Sequence, residues 1–195
     1  GTIEIFEYDA KNPYSISSNF VRACCEDNLG NIWIGTFNGL NRYDKSTGLF
    51  QNHTASDAQS DGLTHSSIWC IVKDNQGTLW LGTYFGGVNY FNPEYEIYSR
   101  YMYSPIEKKG LSNPVVGRTI EDKDGNLWIG TEGGGLNYYN RRTREFKWFR
   151  PEIGPHSISQ NNIKAPYYDA SKDIIWIGTH LGGLNRLDIR SGRFT

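Results

Sequence analysis

Apolar residues in this chain come in short runs, each closed by a turn rich in Asp, Asn, Gly and Ser, and no stretch follows the 3.6-residue period of an amphipathic helix. One run recurs almost unchanged: Ile32-Trp33-Ile34-Gly35-Thr36, Leu79-Trp80-Leu81-Gly82-Thr83, Leu127-Trp128-Ile129-Gly130-Thr131 and Ile175-Trp176-Ile177-Gly178-Thr179. The steps from one Trp to the next are 47, 48 and 48 residues. As a strand, the first run places Ile32 and Ile34 on one face and Trp33 on the other. A strand apolar on both faces belongs between two packed layers rather than at a half-exposed surface. The glycines at 35, 82, 130 and 178 share the Trp face, where a missing side chain makes room for a neighbouring layer.

The same parse holds around each run. A strand precedes it (Phe20 to Glu26, Ile68 to Lys73, Val115 to Glu121) and ends in a turn such as Asp27-Asn28-Leu29-Gly30 or Asp122-Lys123-Asp124-Gly125. Asp opens such turns by accepting from the backbone ahead of it, and Gly supplies the positive φ. A Gly-rich turn then leads to a third strand, Gly39-Leu40-Asn41-Arg42-Tyr43 in the first unit. A fourth strand includes Phe50, Ile97, Phe146 or Phe194. Four short strands per unit, repeated head to tail, predict an all-β fold: a β-propeller segment of about four four-stranded antiparallel blades. The repeats span approximately 10–57, 58–104, 105–152 and 153–195, and residues 1–9 are expected as a fourth strand of a preceding or closing blade. The fourth unit departs from the pattern. Its turn, Asp169-Ala170-Ser171-Lys172-Asp173, lacks the glycine, and Pro166 interrupts its first strand, which is tolerable only at a sheet edge facing a central channel.

Composition removes several function classes. Lys and Arg number 20 against 21 Asp and Glu, a net charge of −1, so no basic excess exists to neutralise a nucleic acid backbone. No apolar run reaches the length of a spanning helix, so a membrane is expected only through segments downstream of this chain. Three cysteines, Cys24, Cys25 and Cys70, do not make a disulfide framework and are expected as small buried hydrophobes. The four histidines, His53, His65, His156 and His180, are isolated and none stands at metal-ligand spacing. With no nucleophile elbow and no phosphate loop, neither cofactor, metal nor catalytic residue is expected. The Glu121-Asp122 pair reads as a turn rather than an acid/base dyad.

The four units resemble the two-component regulator propeller repeat, roughly Asp-x-x-Gly-x-Leu-Trp-Ile-Gly-Thr-x-x-Gly-Gly-Leu, across essentially the whole chain. The linkers Ile16-Ser17-Ser18-Asn19, Leu63-Thr64-His65-Ser66, Leu111-Ser112-Asn113-Pro114 and Ile158-Ser159-Gln160-Asn161 match as well. The resemblance implies a periplasmic, ligand-sensing propeller of a Bacteroides-type hybrid two-component sensor kinase. It implies a carbohydrate breakdown product as ligand, regulation of polysaccharide-utilisation genes, and a homodimer formed through the intact ectodomain. It implies no enzymatic activity in this chain, the kinase lying elsewhere in the protein. Propellers of the family are usually seven-bladed, so the chain is expected to be an arc of a larger assembly. The alternative is a propeller lectin or a carbohydrate-active enzyme domain. Against the enzyme, the Asp of the sialidase turn is replaced by Asn28, Asn75, Lys123 and Ser171.

Columns that repeat are scaffold; columns that vary between repeating neighbours are free to carry function. Four residues after each Trp stand Phe37, Tyr84, Glu132 and His180. Eleven before each stand Arg22, Trp69, Gly117 and Ala165. In a propeller both columns lie at one end of the channel, with His65 and Asn113 from the linkers. Aromatic faces beside planar polar groups suit a sugar, whose C–H face stacks on the ring while its hydroxyls meet the polar tips. The candidate ligand-binding residues are therefore Arg22, Phe37, Trp69, Tyr84, Glu132, His180, His65 and Asn113.

Overall fold

A computed structural model describes residues 2–55, 62–93 and 97–195. They form four antiparallel four-stranded sheets, each joined in simple chain order. Blade one holds β1 (Val21–Glu26), β2 (Ile32–Thr36), β3 (Gly39–Asp44) and β4 (Leu49–His53). Blade two holds β5 (Ile68–Lys73), β6 (Leu79–Thr83), β7 (Val88–Asn92) and β8 (Ile97–Tyr101). Blade three holds β9 (Val116–Glu121), β10 (Leu127–Thr131), β11 (Leu136–Asn140) and β12 (Glu145–Phe149). Blade four holds β13 (Ile163–Asp169), β14 (Ile174–Thr179), β15 (Leu184–Asp188) and β16 (Arg193–Phe194). The helical residues described are the single 3-10 turn Glu107–Lys109. The innermost strands β1, β5, β9 and β13 lie side by side in that order, so the blades follow one another in an arc.

Each of the first three blades presents its Trp to the next. Trp33 packs on Ile68, Leu79, Leu81 and Phe91 of blade two. Trp80 packs on Val116, Leu127 and Ile129 of blade three, and Trp128 on Ile163, Ile175 and Ile177 of blade four. Each such side chain, buried, contributes about 1.5–3 kcal/mol. The glycines two residues on explain themselves. A Cβ on Gly35 would lie 2.7 Å from Ile68, one on Gly82 2.7 Å from Val116, and one on Gly130 2.8 Å from Ile163. In each case an obstructing residue is the first of the following blade's innermost strand, joined at Gly82 by Cys70 of its own blade at 2.6 Å.

The Gly-Leu-Asn word has a scaffold role too. Asn41, Asn89, Asn137 and Asn185 are buried, and their side-chain oxygens accept the backbone N–H of Ser17, Thr64, Ser112 and Ser159 in the linkers. This ties each linker to its own third strand. Pro166 sits within β13, which is indeed the edge strand of its sheet.

Among the described residues, 2–9 pair with no strand, and Phe6 rests on Tyr43 and Phe50, with ring centroids 5.0 and 5.3 Å apart. One expectation needs correction. Of the cysteines only Cys70 is buried; Cys25 is half-buried and Cys24 exposed. Ala23 and Cys25 point to the layer shared with blade two, so strand alternation turns Cys24 to the opposite face.

Candidate functional site

Every innermost strand carries a β-bulge at the same place. Val21 faces Thr36 and Ala23 faces Gly35, leaving Arg22 as the extra residue. Trp69 and Lys164 are extra in the same way in β5 and β13, and Gly117 with Arg118 opposes Gly130 in β9. A bulge re-aims the side chain it releases. The loop column is pinned beside it: the backbone N–H groups of Phe37, Tyr84, Glu132 and His180 donate to the carbonyls of Phe20, Ser67, Val115 and Asn162 at 2.9–3.0 Å. Each acceptor immediately precedes its innermost strand, so the two variable columns share one end of the arc.

The structure brings five of the eight candidates into one contiguous row. The Arg22 guanidinium lies 4.0 Å from the Trp69 ring and 5.9 Å from that of Phe37. Trp69 stacks on Tyr84 at 5.6 Å with an interplanar angle of 18°. His65 flanks Tyr84 at 6.4 Å, and its Nδ1 accepts the Ser67 N–H at 3.0 Å, which fixes the ring. Phe20 and Phe85, both exposed, extend the row at either end, against Phe37 and Tyr84 respectively.

Beside this row lies an open pocket of about 280 Å³, walled by Arg22, Trp69, Arg118, Glu132 and Lys164 over Gly117 and Ile163. Glu132 is ion-paired with Lys164 across the gap between blades three and four. The Trp69 indole N–H is buried without an acceptor among the described residues. The remaining two candidates stand apart. His180 is exposed and lies outside the pocket wall, and Asn113 caps its own turn by accepting the Val115 N–H at 2.8 Å.

Arg118 and Lys164 were not among the candidates. In unit four Trp176 follows its turn Asp169 by seven residues, against six in the other units, so counting back from Trp lands on Ala165. The register places Lys164 in the column instead. Counting forward from the strand's first apolar residue, Val21, Ile68, Val116 or Ile163, would have found it.

Residues 15–38, 62–85 and 110–133 match the family model of the two component regulator propeller. The fourth unit, with its longer turn, lies outside the matched segments. Among curated proteins none matches the chain. The extracellular domain of the hybrid two component system BT3049 from B. thetaiotaomicron superposes with a TM-score of 0.83 at 22% identity, over 92% of this chain and 25% of that one. The extracellular domain of the one component system BT4673 from the same organism gives 0.75 at 25% identity, over 98% and 26%. Virginiamycin B lyase from Staphylococcus aureus gives 0.65 at 12% identity, over 90% and 54%, a likeness of fold. The chain thus spans about a quarter of the length of the two B. thetaiotaomicron domains.

Proposed function

We propose that this chain, which carries two component regulator propeller repeats, is part of the periplasmic ligand-sensing region of a hybrid two component sensor kinase. Its ligand is an oligosaccharide released by polysaccharide breakdown, and binding regulates polysaccharide-utilisation genes. The observation that supports this is the row Phe37, Arg22, Trp69, Tyr84 and His65. It is drawn from variable columns set in an otherwise repeated scaffold. Rings of this kind accept the C–H face of a sugar, and the guanidinium and imidazole serve its hydroxyls. The bulges and backbone hydrogen bonds hold these side chains in place before any ligand arrives, which lowers the ordering cost of binding. Signalling follows if ligand favours one relative placement of two ectodomains in a homodimer, since a ligand shifts an equilibrium only by its differential affinity.

A calorimetric screen of oligosaccharides, followed by substitution, tests the reading. Tyr84→Ala is expected to weaken binding of the best oligosaccharide and to leave the thermal midpoint nearly unchanged. Trp69→Ala is expected to weaken binding further, because it removes the platform under both Tyr84 and Arg22. If both variants bind like the unaltered chain, the row is not the site.

A further inference from the structure

We propose that the pocket beside the aromatic row selects a saccharide bearing an anionic group, a uronate carboxylate or a sulfate ester. The inference rests on the saccharide reading above and adds the chemical class. Three cations, Arg22, Arg118 and Lys164, wall the pocket against one carboxylate, Glu132. Lys164 and Glu132 neutralise each other. No carboxylate lies within ion-pair distance of Arg22 or Arg118 among the described residues, whereas Arg141 pairs with Asp74 and Glu121 on the blade two and three turns. The chain as a whole carries a net charge of −1, so the excess of positive charge here is a local arrangement and not a bulk property.

The geometry of Arg22 sharpens the point. Its guanidinium carbon lies 4.0 Å from the centroid of the Trp69 ring, which holds the cation at the pocket wall. A guanidinium held this way presents a fork that matches two oxygens of a carboxylate or sulfate. Gly117 occupies the column position that in blades one, two and four holds Arg22, Trp69 and Lys164, so blade three adds no side chain to the pocket from that column. At about 280 Å³ the space sits just under the range typical of drug-sized ligands, a fit for one sugar ring with its charged substituent.

Titration calorimetry of the chain with digalacturonate, galactose 6-sulfate and neutral galactobiose tests this. At least one acidic probe is expected to bind about tenfold tighter than galactobiose, the scale of one charge-assisted hydrogen-bond pair. That advantage is expected to shrink with added salt and to collapse in Arg118→Gln, an exposed position whose substitution leaves the fold intact. The double variant Lys164→Gln with Glu132→Gln removes one charge of each sign and is expected to keep the acidic preference. Preference for digalacturonate assigns the carboxylate, and preference for galactose 6-sulfate assigns the sulfate. Galactobiose binding as well as both acidic probes overturns the anionic inference and leaves the saccharide reading standing. Silence from all three probes and from a wider array of neutral and acidic oligosaccharides overturns both.

Discussion

Blades three and four are written in nearly the same words, yet they are held differently. In blade three the buried Asp122 accepts the backbone N–H groups of Asp124 and Asn126 through Oδ1, at 3.0 and 2.9 Å, and the Trp128 indole N–H through Oδ2 at 2.9 Å. Blades one and two repeat this latch with Asp27 to Trp33 at 2.7 Å and Asp74 to Trp80 at 2.6 Å. In blade four one added residue separates Asp169 from Trp176, and Asp169 instead holds the exposed Ser171. The left-handed turn position taken by glycine elsewhere falls to Asp173, at φ 57°. Trp128 is 3% exposed while Trp176 is only half-buried, with no further sheet laid over it among the described residues. The same word is therefore a keystone where a following blade receives it and a surface feature where none does.

The largest test of this contrast is truncation of the two tryptophans. Trp128→Ala removes the central side chain of the layer between blades three and four and is expected to cost about 3–5 kcal/mol, read from the denaturant midpoint. Trp176→Ala, with part of its surface already in water, is expected to cost roughly half of that or less. Equal losses would show that the Trp face of blade four is as well covered as that of blade three.

Adding a methyl group probes the same layers from the other direction. Gly130→Ala would drive a Cβ to 2.8 Å from the Ile163 Cγ2 and 3.0 Å from its Cβ. The Ile163 side chain is fully buried and cannot swing aside, so a loss of about 1–3 kcal/mol is expected. At Gly178 the nearest atom is the Ala165 Cβ at 3.5 Å, an ordinary contact. Gly178→Ala is expected to stay within about 0.5 kcal/mol of the unaltered chain. A tolerated Gly130→Ala would mean the layer can open without cost.

What could be seen in the sequence was what is local and repeated. The Trp run, the Asp-to-Gly turn and the third-strand word mark β2, β3 and their counterparts, and β5 begins and ends where the alternation puts it, at Ile68 and Lys73. The glycine after each Trp was readable as a packing device because its face was known. The unread part is tertiary. Turn chemistry accounts for one oxygen of Asp122, but the reach of the other to an indole six residues on depends on how the hairpin twists. The displaced column at Lys164 depends on a single residue inserted beyond the far end of the same strand. Arg118 follows a glycine in its bulge, and nothing in its neighbours marks it as lining a pocket. The row from Phe20 to Phe85 joins residues of two blades, which no single repeat displays.

The smallest and most selective test titrates the latch itself. Burial alone would push the Asp27 carboxyl up. The hydrogen bonds from the Trp33 indole, from Asn31 and from the Leu29 backbone outweigh it and hold the carboxyl below the ordinary range. A carboxyl held lower in the folded chain than in the unfolded one adds stability at pH values above its unfolded pKa, near 3.9. That stability disappears as pH falls through the folded value. The acid limb of the stability curve, measured by denaturant titration below about pH 5, is therefore expected to be shallower in Asp27→Asn than in the unaltered chain. The turn carboxyl of blade four is also held low, by the Ser171 hydroxyl, but its partner Ser171 is exposed and the bond is screened by solvent, which leaves it little net effect. Asp169→Asn is expected to leave the acid limb where it was. Should Asp169→Asn flatten it as much as Asp27→Asn does, the indole latch would not be what separates the first three turns from the fourth.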